Sequence, residues 1–250
     1  MSGRIPISSP PPSPSAPNSR HACHNKAMES PYRNIVTPHT RLHAERCALL
    51  VIDTQNDFGD PKGAFPLPDL ERVMPDLVEV IEMFRRAERP IVHIVRLYMA
   101  DGSNVDLCRR WYFEQGESRF AMPGTWGAEL VENTNPTGAQ LAVSVLFAGE
   151  AQELTPLESV IFKPRFNAFH DTPLHAFLQA REIDSVVIVG VTFPNCVLAS
   201  QLGATDRDYR VGLVPSACTE VNDDGLRAMQ AKGVQLMTPD DLRGFLSHNR

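Results

Sequence analysis

The sequence predicts an α/β fold, a doubly wound sandwich whose six-stranded, mostly parallel sheet carries helices on both faces. Three observations support this. Runs such as "CALLVID" (47–53) and "SVVIVGV" (185–191) are apolar at successive positions, as in strands buried on both faces. Between such runs lie segments whose apolar residues recur at helical spacing. The two kinds of segment alternate from residue 47 onward, as they do in a parallel sheet covered on both sides.

In order, "CALLVID" is the first strand and ends in an acid, Asp53. Residues 69–87 set Leu70, Val73, Leu77, Val80, Ile81 and Phe84 on one helical face. "PIVHIVRL" (90–97) is the second strand, with Arg96 near its end, and "SVIFK" (159–163) is the third, ending in Lys163. "TPLHAFLQAREI" (172–183) opens with Thr-Pro, an N-cap and first-turn pair, and gives a helix. The strand 185–191 leads into a helix over roughly 195–207. "YRVGLVPSA" (209–217), a helix near 222–232, "VQLMT" (234–238) and a last helix from about 239 complete the pattern. Residues 98–158 break it with "RRWYFEQGESRF" and "MPGTWGAEL", and a long irregular insertion of this kind serves as a binding loop, a lid or a subunit interface.

The bulk properties bound the function. A net charge of −6 over 250 residues excludes a general nucleic-acid or acidic-membrane binder, which needs a basic face. No apolar run approaches the roughly 20 residues that span a bilayer. The five cysteines, Cys23, Cys47, Cys108, Cys196 and Cys218, are scattered and form no CxxC pair, so a reducing, cytoplasmic setting is expected. Residues 1–40 are Pro- and Ser-rich, lack hydrophobic periodicity and read as a disordered leader, or as an upstream extension with Met28 as the start, with the folded domain over 41–250. No Gly-rich phosphate turn follows the first strand, where "DTQNDFGD" stands instead, so a dinucleotide-binding reading fails.

In open α/β sheets, ligands bind beyond the carboxyl ends of the strands. Three strands here end in reactive groups: Asp53, Lys163 and the turn carrying Cys196. An acid after a strand can be a simple turn former, a lysine can be solvated, and a lone cysteine can be packing. Together at one sheet edge they make chemical sense. The carboxylate can take the thiol proton, while the ammonium and a helix N-terminus hold the resulting charges. Asp53 raises the thiol pKa, and the lysine and the helix end lower it.

"LLVIDTQNDF" (49–58), "FKPRFNAF" (162–169) and "VGVTFPNCVLAS" (189–200), in that order, resemble the isochorismatase-like cysteine hydrolases, which include nicotinamidases and carbamoylsarcosine, ureidoacrylate and biuret amidohydrolases. The likeness covers about residues 45–245, and "PGTWGAEL" (123–130) is similar to a further family segment. It implies a three-layer α-β-α sandwich and a catalytic triad at Asp53, Lys163 and Cys196. It also implies a cis peptide joining Val191 to Thr192, with the amides of Thr192 and Cys196 forming an oxyanion hole. The expected reaction is hydrolysis of an amide, ureido or carbamoyl C–N bond in a small molecule through a thioester. The alternatives are a vinyl ether hydrolase of the isochorismatase type, which has no use for the thiol, and a non-catalytic interaction protein on the same scaffold. Homo-oligomer formation is also implied.

The chain departs from the family pattern ahead of the cysteine, where Thr192, Phe193 and Pro194 stand, and this reads as a changed substrate surface. Nicotinamidases hold a metal with an Asp-x-His pair and a further His, but "DFGDPKGAFPLPDLE" (57–71) has no histidine and His93 lies within a strand. Neither a metal nor another cofactor is therefore expected. Candidate substrate contacts are Phe58, Arg96, Trp126, Phe193 and Asn195. Arg96 reads either as a partner for a substrate carboxylate or carbonyl, or as an ion pair with a loop acid.

Overall fold

Alternate side chains of each central strand enter two different cores, which is why these strands read as apolar throughout. In β1 (Cys47–Ile52), Cys47, Leu49 and Val51 face one core while Ala48, Leu50 and Ile52 face the other. β5 (Ser185–Gly190) divides in the same way, with Val187 and Val189 on the first side and Val186 and Ile188 on the second. A computed structural model describes residues 36–116 and 119–247.

The remaining strands are β2 (Ile91–Val95), β3 (Gln152–Thr155), β4 (Glu158–Phe162), β6 (Arg210–Cys218) and β7 (Gln235–Leu236). They form one sheet of seven strands in the order β3-β4-β2-β1-β5-β6-β7, parallel except for the β3–β4 pair. The six expected strands are present, and the count is corrected by one. β3 lies inside the irregular 98–158 insertion, is only half-buried and pairs antiparallel at the sheet edge. An edge strand with no fully buried face has no continuous apolar run to announce it.

Helices α1 (Asn56–Gly59), α2 (Leu70–Arg86), α3 (Leu107–Glu114), α4 (Val143–Phe147), α5 (Leu174–Gln179), α6 (Leu198–Thr205), α7 (Asp223–Gln230) and α8 (Pro239–Ser247) complete the fold. All six apolar residues expected on one face of α2 are buried there, and Leu77, Val80, Ile81 and Phe84 share a core with Leu242 of α8. Leu174 and Leu178 of α5, Ala204 of α6 and Met229 of α7 pack on the opposite sheet face. Three layers result. Most of the expected leader lies outside the described residues; Thr37–Thr40 form a turn whose last carbonyl accepts from Gln235 Nε2 beside β7.

The topology fixes where a site can form. From β1 the chain moves outward through β2 to β4, then returns to β5 on the other side of β1. The carboxyl ends of β1 and β5 therefore flank the switch point in strand order, the crevice position in this class of sheet. Gly190 closes that end of β5 with φ 117°, and a Cβ there would collide with the Ile52 carbonyl.

Candidate active site

Asp53, Lys163 and Cys196 meet at this crevice. Asp53 follows β1 directly with φ 50°, a left-handed conformation that costs a non-glycine residue about 1–3 kcal/mol and persists where surrounding contacts enforce it. Lys163 follows β4, with its N–H bonded to the Val95 carbonyl. Cys196 lies in a π-helical turn, Phe193–Val197, that runs into α6, so the helical segment starts two residues before the expected position. Lys163 Nζ is 2.9 Å from Asp53 Oδ2 and 3.3 Å from Cys196 Sγ. All three side chains are buried, yet all three line one cavity of about 350 Å³.

The opposed influences expected on the thiol are both present, and burial adds the largest one. Burial, and after it the Asp53 charge, push Cys196 up to about 12, and Lys163 only partly offsets them. Burial also opposes the charge on Lys163, but Asp53 and Cys196 outweigh it and hold the ammonium above its ordinary value. The resting site is thus a neutral thiol beside an ammonium–carboxylate pair. Asp53 Oδ1 is buried without a hydrogen-bond partner, so an acceptor is available for a proton. This arrangement can move the thiol proton to Asp53 as sulfur attacks, with Lys163 held against the thiolate.

The Val191–Thr192 peptide is cis. Thr192 lines the cavity with Cys196, its carbonyl accepts from the Asn195 and Val197 N–H groups, and among the described residues its own N–H has no acceptor.

The segment after Asp53 ties the insertion to the sheet. Gln55 Nε2 donates to the carbonyls of Arg96 (2.8 Å) and Ala128 (2.6 Å), and Gln55 Oε1 accepts from the Arg96 N–H. Asn56 Nδ2 donates to the Trp126 carbonyl. Asp57 accepts from the N–H groups of Ala64 (2.9 Å) and Ala121 (2.6 Å). Those two bonds bring Phe65 and Phe120 to Phe58, and the three rings stack edge-on or tilted along one wall.

Of the five candidate substrate contacts, Phe58 and Arg96 line the cavity. The Arg96 guanidinium is already engaged: it donates to the carbonyls of Lys163 (2.9 Å) and Asn104 (3.0 Å), pairs with Asp106 (3.0 Å) and lies over the Tyr98 ring. The loop-acid alternative describes its partner. Trp126, Phe193 and Asn195 lie outside the cavity wall. Trp126 is half-exposed on a short 3₁₀ turn, Phe193 is buried in the core against Gly225, and Asn195 faces outward with its Nδ2 on Thr192 Oγ1. Sequence reasoning missed Phe65, Tyr98, Arg109, Phe113, Phe120 and Phe166, which complete most of the wall. Four of them lie in the aromatic insertion, whose composition was the available signal.

The cavity lining does not suit a nicotinamidase-type metal: it contains no histidine, and Phe58, Phe65 and Leu67 are its side chains from the segment after Asp53. Among the described residues no group of three or more His, Cys, Asp or Glu is placed to hold one. His93 bonds Glu158 (3.1 Å), which also binds Arg85, well inside the sheet. The four described cysteines are free thiols, and no helix among the described residues is long and apolar enough to cross a membrane.

Comparison with known proteins gives a consistent picture. Residues 47–144 and 148–241 match the family model of the isochorismatase domain. A probable inactive nicotinamidase of Arabidopsis thaliana is 32% identical over 162 residues, covering 65% of this chain and 74% of that protein. An N-carbamoylsarcosine amidase of Arthrobacter sp is 25% identical over 170 residues, covering 67% of this chain and 57% of the amidase. The crystal structure of an isochorismatase family protein from Desulfovibrio vulgaris superposes with a TM-score of 0.67 at 26% identity, covering 81% of this chain and 99% of that one.

Proposed function

The chain belongs to the isochorismatase family, and from that premise we propose that it is a cysteine-dependent hydrolase of a C–N bond, in an amide, ureido or carbamoyl group of a small molecule. The observation that carries this reading is the single lysine ammonium within reach of both an acid and a buried thiol at the wall of a cavity. The N-carbamoylsarcosine amidase relative has the corresponding chemistry in its name.

In this mechanism Asp53 removes the Cys196 proton and the sulfur attacks the carbonyl carbon. The oxyanion is received by the N–H groups of Thr192 and Cys196. Asp53 returns the proton to the departing nitrogen as the tetrahedral species collapses to a thioester. Water, deprotonated by Asp53, then cleaves the thioester and restores the thiol. Lys163 balances the charge on Asp53 and Cys196 throughout and is oriented by Arg96 through its carbonyl. Vinyl ether hydrolysis is the weaker reading, since it leaves the thiol at the cavity wall without a task.

The test is turnover of a panel of primary amides, ureas and carbamoyl compounds, read as release of ammonia or amine by the purified protein and by Cys196→Ala. Hydrolysis by the first and none above background by the second is expected. Equal turnover by both would refute the assignment. The reading extends to an enzyme that works as a homo-oligomer in the cytoplasm on a small molecule, without nucleic acid, membrane or cofactor.

A further inference from the structure

Charge around the cavity balances in pairs, with one remainder. Asp53 stands against Lys163, and Asp106 stands against Arg96. Arg109 also lines the cavity, and among the described residues no carboxylate lies within ion-pair distance of it. Its contacts are a hydroxyl and a ring: NH1 donates to Tyr98 Oη at 3.3 Å, and the guanidinium lies 4.7 Å from the centre of the Phe166 ring. A half-buried guanidinium with no carboxylate of its own, the nearby Asp106 being paired with Arg96, still has donor capacity for an anion.

The surroundings define what else such a ligand carries. Arg109 sits on the first turn of α3, with Tyr112 and Phe113 three and four residues on, so all three share a helix face directed at the cavity. The rest of the wall near them is Phe58, Phe120 and Val191. An anion without apolar bulk would leave these surfaces uncovered, and an apolar ligand without charge would leave Arg109 unanswered.

We propose that the substrate of this site is an amide or urea bearing both an aromatic group and a carboxylate, and that Arg109 receives the carboxylate while the α3 aromatics cover the ring. The proposal rests on the reading of Cys196 as the attacking group, because it describes the substrate of that same cavity. Arg109 is on this account a specificity-determining residue, since the hydrolysis itself needs no charge at that point.

Calorimetry in a Cys196→Ala background, where no probe is consumed, measures binding of 3-phenylpropanoate and of 3-phenylpropanamide. Tighter binding of the carboxylate by about 10- to 100-fold is expected, the range of one buried charge-assisted contact. Arg109→Gln should abolish that preference with little change for the neutral amide, and Arg109→Lys should restore part of it. A packing role alone would weaken both probes alike, and that result, or the absence of any preference with Arg109 intact, would overturn the proposal. With Cys196 present, N-carbamoyl-phenylalanine and 2-phenylethylurea form the matched pair for turnover. Hydrolysis of both at equal kcat/KM would overturn the carboxylate preference while leaving the cysteine mechanism standing. If neither is hydrolysed while another compound of the amide and urea panel shows turnover that Cys196→Ala abolishes, the substrate assignment is overturned and the cysteine mechanism stands.

Discussion

Replacing Asp53 by asparagine separates two roles that the intact site combines. Burial and the Asp53 charge hold the Cys196 thiol at about 12, and Lys163 Nζ, 3.3 Å from the sulfur, works against them. Asp53→Asn deletes a raising charge and leaves the lowering one in place. Since Lys163 Nζ touches Asp53 at 2.9 Å, the acid and the sulfur cannot be far apart. Even at roughly 6 Å, the largest separation those two contacts allow, a unit charge in an effective dielectric of about 20 contributes on the order of 3 kcal/mol, or about 2 pKa units. Below its pKa, a thiol lowered by about 2 units has roughly 100 times more thiolate, and its lower basicity returns about a factor of 10 in nucleophilicity. Carbamidomethylation of Cys196 at pH 8 should therefore run about 10-fold faster in Asp53→Asn than in the unaltered protein. Turnover should move the other way, falling by roughly 10²- to 10⁴-fold, because the proton acceptor and donor is gone. The assay is peptide-resolved mass spectrometry, since exposed Cys108 will also react. Alkylation no faster in the variant, or turnover preserved, would refute this account of the site.

Arg96→Met is expected to destabilise the fold by about 3–5 kcal/mol, because it leaves Asp106 buried and unpaired, and Arg96→Met with Asp106→Leu should melt higher than Arg96→Met alone. A substrate-contact role alone would instead raise KM without moving the melting temperature. Asp57→Ala removes the acceptor for two backbone N–H groups and should lower stability by about 2–4 kcal/mol in thermal melts, with KM rising as the Phe58–Phe120 wall loosens. Glu158 gives a pH dependence: burial pushes its carboxyl up, but the bonds from His93 and Arg85 outweigh this and hold it below its ordinary 4.5. A depressed folded-state pKa adds stability above 4.5 that is lost as pH falls through the lower folded-state value. Melting curves between pH 6 and 3 should show that loss, and Glu158→Gln should be less stable at pH 6 with a flatter acid decline.

How much of this was legible in the sequence follows from where each signal originates. Strands β1, β2, β4 and β5 are buried on both faces, so hydrophobicity alone exposed them, and α2 declared its buried face through spacing. β3 and the two-residue β7 sit at the sheet edges, where burial is partial and the pattern correspondingly faint. Asp53, Lys163 and Cys196 could be grouped before any coordinates because strand ends share one rim of a parallel sheet. The cavity wall could not. Phe193 and Asn195 flank Cys196 in sequence but point to the core and to solvent, since neighbours in a helical turn diverge. Tyr98, Arg109, Phe113 and Phe120 reach the cavity through a segment without sustained periodicity, whose 121–128 part is tied down where Gln55 and Asn56 donate to it and Asp57 accepts from it. The net position of the thiol pKa was not legible for a related reason, because burial is a tertiary quantity and is here the largest cause.

The most direct measurement is rapid-quench intact mass spectrometry of the protein during turnover of a substrate from the amide and urea panel, followed by peptide mapping. Acid quench should trap a mass increase equal to the acyl or carbamoyl part of the substrate, located on Cys196 and absent from Cys196→Ala. Turnover that proceeds with no adduct in Asp53→Asn or in the unaltered protein, and at an undiminished rate in Cys196→Ala, would contradict covalent attack by this thiol.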